Sequence, residues 1–187
     1  MLTGDTFEYA LTCAYNIGMI ERNETYHQMD FTDELGGIVK MKSILENLKW
    51  ITDGKQVKPH NANQKDTGYH TNPSLLNEMS STDENFYLCD YETLKRLNDQ
   101  ILFISGDSLD IITNNKYLDK HFVFLCSLCR TVIGYNMSDC KKAYIVRTLK
   151  KIGELKYTKW VTVAVGDGYN DISMLKEADV GIQLLNQ

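Results

Sequence analysis

Val161-Thr-Val-Ala-Val165 runs directly into Gly166-Asp-Gly-Tyr-Asn-Asp171 and then into Ile172-Ser-Met-Leu175. The β-branched and small apolar residues predict a buried strand, and the glycines on either side of Asp167 predict a tight turn. The apolar spacing beyond them predicts a helix. Strand, turn and helix in that order put Asp167 at a strand tip, with Asn170 or Asp171 opening the helix. Two carboxylates then converge on one point. A hard magnesium ion suits that arrangement, because it takes one or two carboxylates and keeps water and phosphate oxygens as its other ligands. An isolated Asp-Gly pair is more often an ordinary turn; the strand before it and the helix after it raise this one above that reading.

Short apolar runs alternate with helical patterns from Gln100 onward. The pattern predicts strand Ile101 to Ile104, helix near Leu118 to Ser127, strand Thr131 to Ile133 and helix Asp139 to Ile152. Strand Val161 to Val165, helix Asp171 to Ala178 and strand Val180 to Ile182 complete it. Such alternation predicts an α/β fold with a parallel sheet and crossover helices, and a ligand at the carboxyl ends of the strands. Near the N-terminus, Thr3-Gly4-Asp5 precedes Phe7, Ala10, Leu11, Ala14 and Ile17 at helical spacing, with Gly18 near the stop: strand end, turn, helix. Leu35, Ile38, Val39, Leu45 and Leu48 predict a second amphipathic helix, used for packing, before Trp50. From Asp53 to Asn85 the chain turns polar and asparagine-rich and holds both prolines, Pro59 and Pro73. That composition predicts a mobile surface insertion. No internal repeat is visible.

The 187 residues, 43% hydrophobic and 24% charged, suit one domain with its own core. A net charge of -5 argues against a general nucleic-acid binder, whose surface must neutralise phosphates. No apolar run reaches the roughly 18 residues of a spanning helix, since even Phe122 to Ile133 is interrupted by Arg130. No signal-peptide pattern opens the chain. Five cysteines, an odd number, do not form a disulfide framework. Cys126-x-x-Cys129 has no second pair to complete a zinc site, so both are expected to be core thiols.

Two further groups carry chemistry. Thr3 can donate a hydroxyl to a phosphoryl oxygen, Gly4 lets a backbone approach it, and a helix N-terminus follows; taken alone, the tripeptide is better explained as a simple helix cap. Lys142 opens a helix whose Ala143, Val146 and Leu149 are expected to face inward, and its ammonium could hold a phosphoryl group. Its neighbours Lys141, Arg147, Lys150 and Lys151 dilute that case, and from the residues alone a solvated basic helix face is the preferred reading.

Together these residues resemble the phosphorylation domain of P-type ATPases, a haloacid dehalogenase-like Rossmannoid fold, and within it the phospholipid-flippase (type IV) branch. Leu2-Thr-Gly-Asp5, followed by Glu8 and Ala10, resembles the flippase pattern T-G-D-K-x-E-T-A, with Thr6 in the lysine slot. Gly166 to Leu175 resembles G-D-G-A-N-D-V-S-M-I, and Ile104-Ser-Gly-Asp-Ser-Leu109 resembles I-D-G-x-S-L. The resemblance implies that Thr3 and Gly4, with Asp5, contact the transferred phosphate and that Lys142 neutralises it. It also implies that Asp167 binds Mg2+ directly and that Asn170 and Asp171 support that site. Where flippases have C-R-V-S-P-L-Q-K, this chain has Gly134-Tyr-Asn-Met-Ser-Asp-Cys-Lys-Lys142, so Asn136 takes the slot of a nucleotide-binding arginine and Asp139 that of a proline.

The family's D-K-T-G phosphoacceptor motif is expected upstream, and Met1 is read as an internal methionine of a longer protein. The resemblance thus implies a partial domain over 1–187, a cytosolic portion of an integral membrane protein, inactive alone because the acceptor aspartate is absent. The implied cofactors are Mg2+ and ATP. The implied partners are ATP, a phospholipid handled by a membrane domain, and an accessory membrane subunit, with no nucleic acid. An alternative is a regulatory module, as in flippase-like halves fused to guanylate cyclases. A free-standing phosphatase would need a D-x-D motif, which this sequence lacks.

Overall fold

The computed structural model describes residues 1–52, 100–155 and 160–185. The expected insertion at about 53–85 lies outside these residues. In chain order the elements are α1 (Phe7–Asn16), β1 (His27–Met29), α2 (Glu34–Thr52), β2 (Gln100–Ser105), α3 (Gly106–Asn114) and α4 (Lys116–Ser127). They continue with β3 (Cys129–Tyr135), α5 (Asp139–Leu155), β4 (Val163–Gly166), a 3-10 turn (Tyr169–Asp171), α6 (Ile172–Glu177) and β5 (Val180–Gln183). All strand pairings are parallel, as the alternation predicts, but among the described residues they form two sheets. One is ordered β1-β2-β3, with Leu2 bridging in parallel to Gly134 on the outer side of β3; the other is β4-β5.

The larger sheet is covered on both faces. Ile101 and Phe103 of β2 join Ala10 and Ala14 of α1 in one cluster, while Leu102 and Ile104 join Met41, Leu118, Phe122 and Ile145 in another. Period-two alternation therefore sends β2's side chains to opposite cores, and an uninterrupted apolar run is what two-sided burial requires. The sequence pattern missed two elements. The strand β1 has only three residues, and α3 follows β2 without an intervening loop. Ser105 caps α3 by accepting from the Ser108 N–H.

Helix ends follow local chemistry. After α1, Gly18 takes φ +69°, the Gly18 N–H donates to the Tyr15 carbonyl, and the Met19 N–H reaches back to Ala14. That paired arrangement closes a helix on a glycine in the left-handed region. It turns Ile17 out to solvent, against its expected place on the buried face. Leu149 of α5 is likewise exposed; Ile145, Thr148 and Ile152 face inward beside Ala143 and Val146. Cys126 and Cys129 sit in or against the larger core; burial pushes the Cys126 thiol up, and that of Cys129 up to about 12.

No described helix is long and apolar enough to cross a membrane.

Candidate functional site

The carboxyl end of β4 is built around a close approach. A Cβ on Gly166 would fall 2.4 Å from the Asp171 side chain, so only glycine leaves room for that carboxylate beneath the strand tip. The space, not a left-handed backbone, is the requirement. The Asp171 carboxylate then accepts from the Asp167 and Gly168 N–H groups, each at 3.3 Å, and from Lys142 Nζ at 2.7 Å. Burial raises its pKa, but the Lys142 hydrogen bond and the Gly168 N–H outweigh that, and the net shift is downward.

Lys142 is 3% exposed, so of its two readings the solvated basic face does not hold for this residue. The other four cations of α5 do face outward, each bound to an acid: Lys141 to Asp110, Arg147 to Glu177, Lys150 to Asp179 and Lys151 to Asp119. Helical geometry accounts for the difference, since Lys142 shares its face with Ile145 and Val146. A buried cation needs a partner, and Asp171 supplies it.

Thr3 is not the cap of α1; Thr6 holds that position, without a side-chain cap bond. The Thr3 hydroxyl donates to the Asp5 carboxylate at 2.6 Å and accepts from the Asp5 N–H at 3.1 Å. Backbone bonds from Thr3 and Asp5 to Gly134, Asn136 and Met137 lock this turn against the end of β3.

A cleft of about 960 Å³ separates the two sheets, and Thr3, Gly4, Asp5, Lys142, Asp167, Asn170 and Asp171 all line it. Asp167 and Asn170 are exposed there, while Asp171 is buried behind them. The structure thus brings together seven of the eight site residues named from sequence. Asn136 is the exception: it is exposed at the end of β3 with φ +52°, a conformation asparagine tolerates well, and it does not line the cleft. Asp139 opens α5 and accepts from the Cys140 N–H and the Ser173 hydroxyl, tying α5 to α6.

Sequence reasoning missed the cleft's apolar walls, formed by Leu2, Val146, Val163, Ala164, Val165 and Met174. It also missed the clamp at the base of the smaller sheet. There the Thr162 N–H and hydroxyl both donate to Asp179, and the Asp179 N–H donates to the Thr162 hydroxyl. Burial pattern marks such walls, and no short motif does.

Comparison with known proteins agrees with this architecture. The haloacid dehalogenase-like hydrolase family matches residues 16–187. A phospholipid-transporting ATPase of Schizosaccharomyces pombe, C4F10.16c, is 26% identical over 182 residues, 97% of this chain and 11% of that protein. The Mus musculus phospholipid-transporting ATPase FetA is 30% identical across 100% of this chain, which spans 14% of its length. A probable phospholipid-transporting ATPase IIB of Bos taurus is 41% identical over 88 residues, 47% of this chain. The parallel sheet, the flanking helices and these matches together show that the chain belongs to the haloacid dehalogenase-like hydrolases and is related to the phospholipid-transporting P-type ATPases.

Proposed function

We propose that this chain is part of an ATP-driven phospholipid-translocating P-type ATPase, in which it supplies the magnesium- and phosphate-binding half of an aspartyl-phosphate site. What supports the reading is one observation: the Thr3-Gly4-Asp5 turn, the Lys142–Asp171 pair and Asp167 converge on one cleft at the carboxyl ends of parallel strands. The donor set suits Mg2+, with Asp167 offering an exposed carboxylate and the remaining ligands coming from water and phosphate. Bound there, Mg2+ would neutralise charge on a transferring phosphoryl group.

The chain's own residues divide the remaining work. Asp171 is engaged by Lys142 and two backbone donors, so it acts mainly by fixing the Asp167 turn and orienting Lys142. Thr3 and Gly4 bring a hydroxyl and an uncluttered backbone to the opening; the hydroxyl, which donates to Asp5 here, would turn from that carboxylate to donate to the phosphate. Asn170 borders the same opening, while Asn136, outside it, offers nucleotide only a neutral amide in the slot where the family has a charged arginine. The phosphoacceptor, the membrane domain, the lipid and any accessory subunit belong to the longer protein, with this portion on its cytosolic side.

The test is phosphoenzyme formed by the longer protein across a magnesium titration. Asp167→Asn should nearly abolish it, whereas Asp171→Asn should weaken metal affinity on the order of 10 to 100-fold. Equal losses from the two substitutions would sink the division of roles.

A further inference from the structure

Lys141 points from the first turn of α5 to α3, whereas Lys142 beside it points to the 3-10 turn. Its ammonium lies 2.8 Å from Asp110 and 4.0 Å from Asp107, whose side chains are 58% and 88% exposed. Its stem crosses the start of α3. A Cβ on Gly106 would collide with the Asn136 carbonyl oxygen and fall 3.3 Å from the Lys141 Cδ, so Lys141 and Asn136 adjoin at the carboxyl ends of β2 and β3. Against the pattern C-R-V-S-P-L-Q-K, Asn136 stands for the arginine and Lys141 for the glutamine. The positive charge missing at one position returns at the other, beside it in space.

The strand ends form one rim. The Asn136 N–H donates to the Asp5 carbonyl and the Met137 N–H to that of Thr3, which ties the end of β3 to the turn bordering the cleft. β2 lies two strand spacings from Leu2, roughly 10 Å across the sheet. A ligand whose phosphoryl end sits at Thr3 and Lys142, and which extends along this rim, brings its next groups to Asn136 and Lys141.

We infer that Lys141 is a nucleotide-binding residue, its ammonium taking the sugar and α-phosphate of ATP while Lys142 and Thr3 hold the phosphoryl end. This rests on the phosphate reading above and extends it to the rest of the same ligand. Asp107 and Asp110 hold the ammonium in the free protein. Ion pairs to exposed carboxylates are weak, so an incoming anion competes for it. A compact ammonium on a flexible stem can change partners in this way. Without it, both acids would face the nucleotide as unpaired negative charge.

The test is the affinity of the longer protein for β,γ-methylene-ATP with Mg2+, an analogue that binds without transferring its phosphoryl group, by titration calorimetry. Lys141→Gln should weaken binding roughly tenfold, and Lys141→Arg should stay within about threefold of the parent. Asp110→Asn breaks the same ion pair but frees the ammonium, so it should tighten binding about two- to threefold. A bridge that merely joins α3 to α5 gives both substitutions the same sign. Lys150→Gln removes an equal charge about 14 Å further along α5 and should leave the affinity within about twofold. Same-sign changes at Lys141 and Asp110, or an equal loss at Lys150, would overturn the inference. So would a loss absent with ADP, because sugar and α-phosphate are common to both nucleotides. Phosphoenzyme formed from ATP is scored separately: expected affinities without phosphoenzyme sink the aspartyl-phosphate reading alone, whereas phosphoenzyme with unchanged affinities sinks the role of Lys141 alone.

Discussion

β2 and β4 are both short runs of apolar residues in parallel strands, yet their burial differs. Ile101 to Ser105 are all buried, whereas along β4 exposed and buried residues alternate. The strand sequences are alike in kind, so the difference lies in what covers them: α1 packs one face of β2 and the α2–α5 layer the other, while among the described residues β4 has α5 and α6 on one face only. A run that is apolar on both sides predicts two-sided burial. Where only one side is covered, alternate side chains of an equally apolar run stay in contact with solvent.

The largest expected effect tests that contrast directly. Phe103 is fully buried and touches the rings of Phe7 and Tyr26. Phe103→Ala should cost about 3 to 5 kcal/mol in urea unfolding. Val163→Ala, with little contact to lose, should stay within about 0.5 kcal/mol. Comparable losses would mean that the smaller sheet is as enclosed as the larger one. An intermediate effect is expected at the joint between them. Lys142→Met leaves Asp171 without its cation, and about 2 to 3 kcal/mol should be lost, below a fully enclosed pair because the cleft admits water. A Lys142→Met, Asp171→Leu double variant that regained none of this would show that the pair is not what holds the joint.

The smallest effect lies within the β4-β5 half. The Thr162 N–H and hydroxyl, with Lys150, hold the Asp179 carboxyl at about 2. A carboxyl lowered by folding stabilises the native state above its ordinary value of 3.8, and that contribution fades as pH falls from about 4 towards 2. Asp179→Asn should flatten the stability profile over that window, measured by chemical unfolding at stepped pH. An unchanged slope would place the acid sensitivity elsewhere.

How far the sequence discloses this molecule depends on the kind of signal. The glycine-aspartate turn after Val165 was legible because its residue types serve only a few geometries, and the alternation after Gln100 gave the parallel class. β1 was not legible, because three residues make no period. Lys142 stayed open between a phosphate-holding cation and a solvated one because four cations of the same helix surround it in sequence, while only the helical phase separates it from them. Ile17 and Leu149 matched the apolar spacing but fell beyond a helix end or off the packed face. The division into two sheets is a tertiary fact with no local sequence mark. Asp171's tuck beneath Gly166 needed coordinates, although its motif announced that something close occurs there.

The five cations of α5 reach acids on five separate parts of the chain: α3, the 3-10 turn, α6, the approach to β5, and α4. Four of those pairs have at least one partner open to water, where dissolved ions compete for it, and one is sheltered. Ionic strength therefore acts unevenly on this helix. With a screening length that contracts from about 10 Å at 0.1 M salt to about 3 Å at 1 M, brine weakens the outer fastenings far more than Lys142–Asp171, so at high salt α5 is held to the β4-β5 half by that sheltered pair, the Asp139–Ser173 bond and the packing of Val146 on Ala164 and Met174.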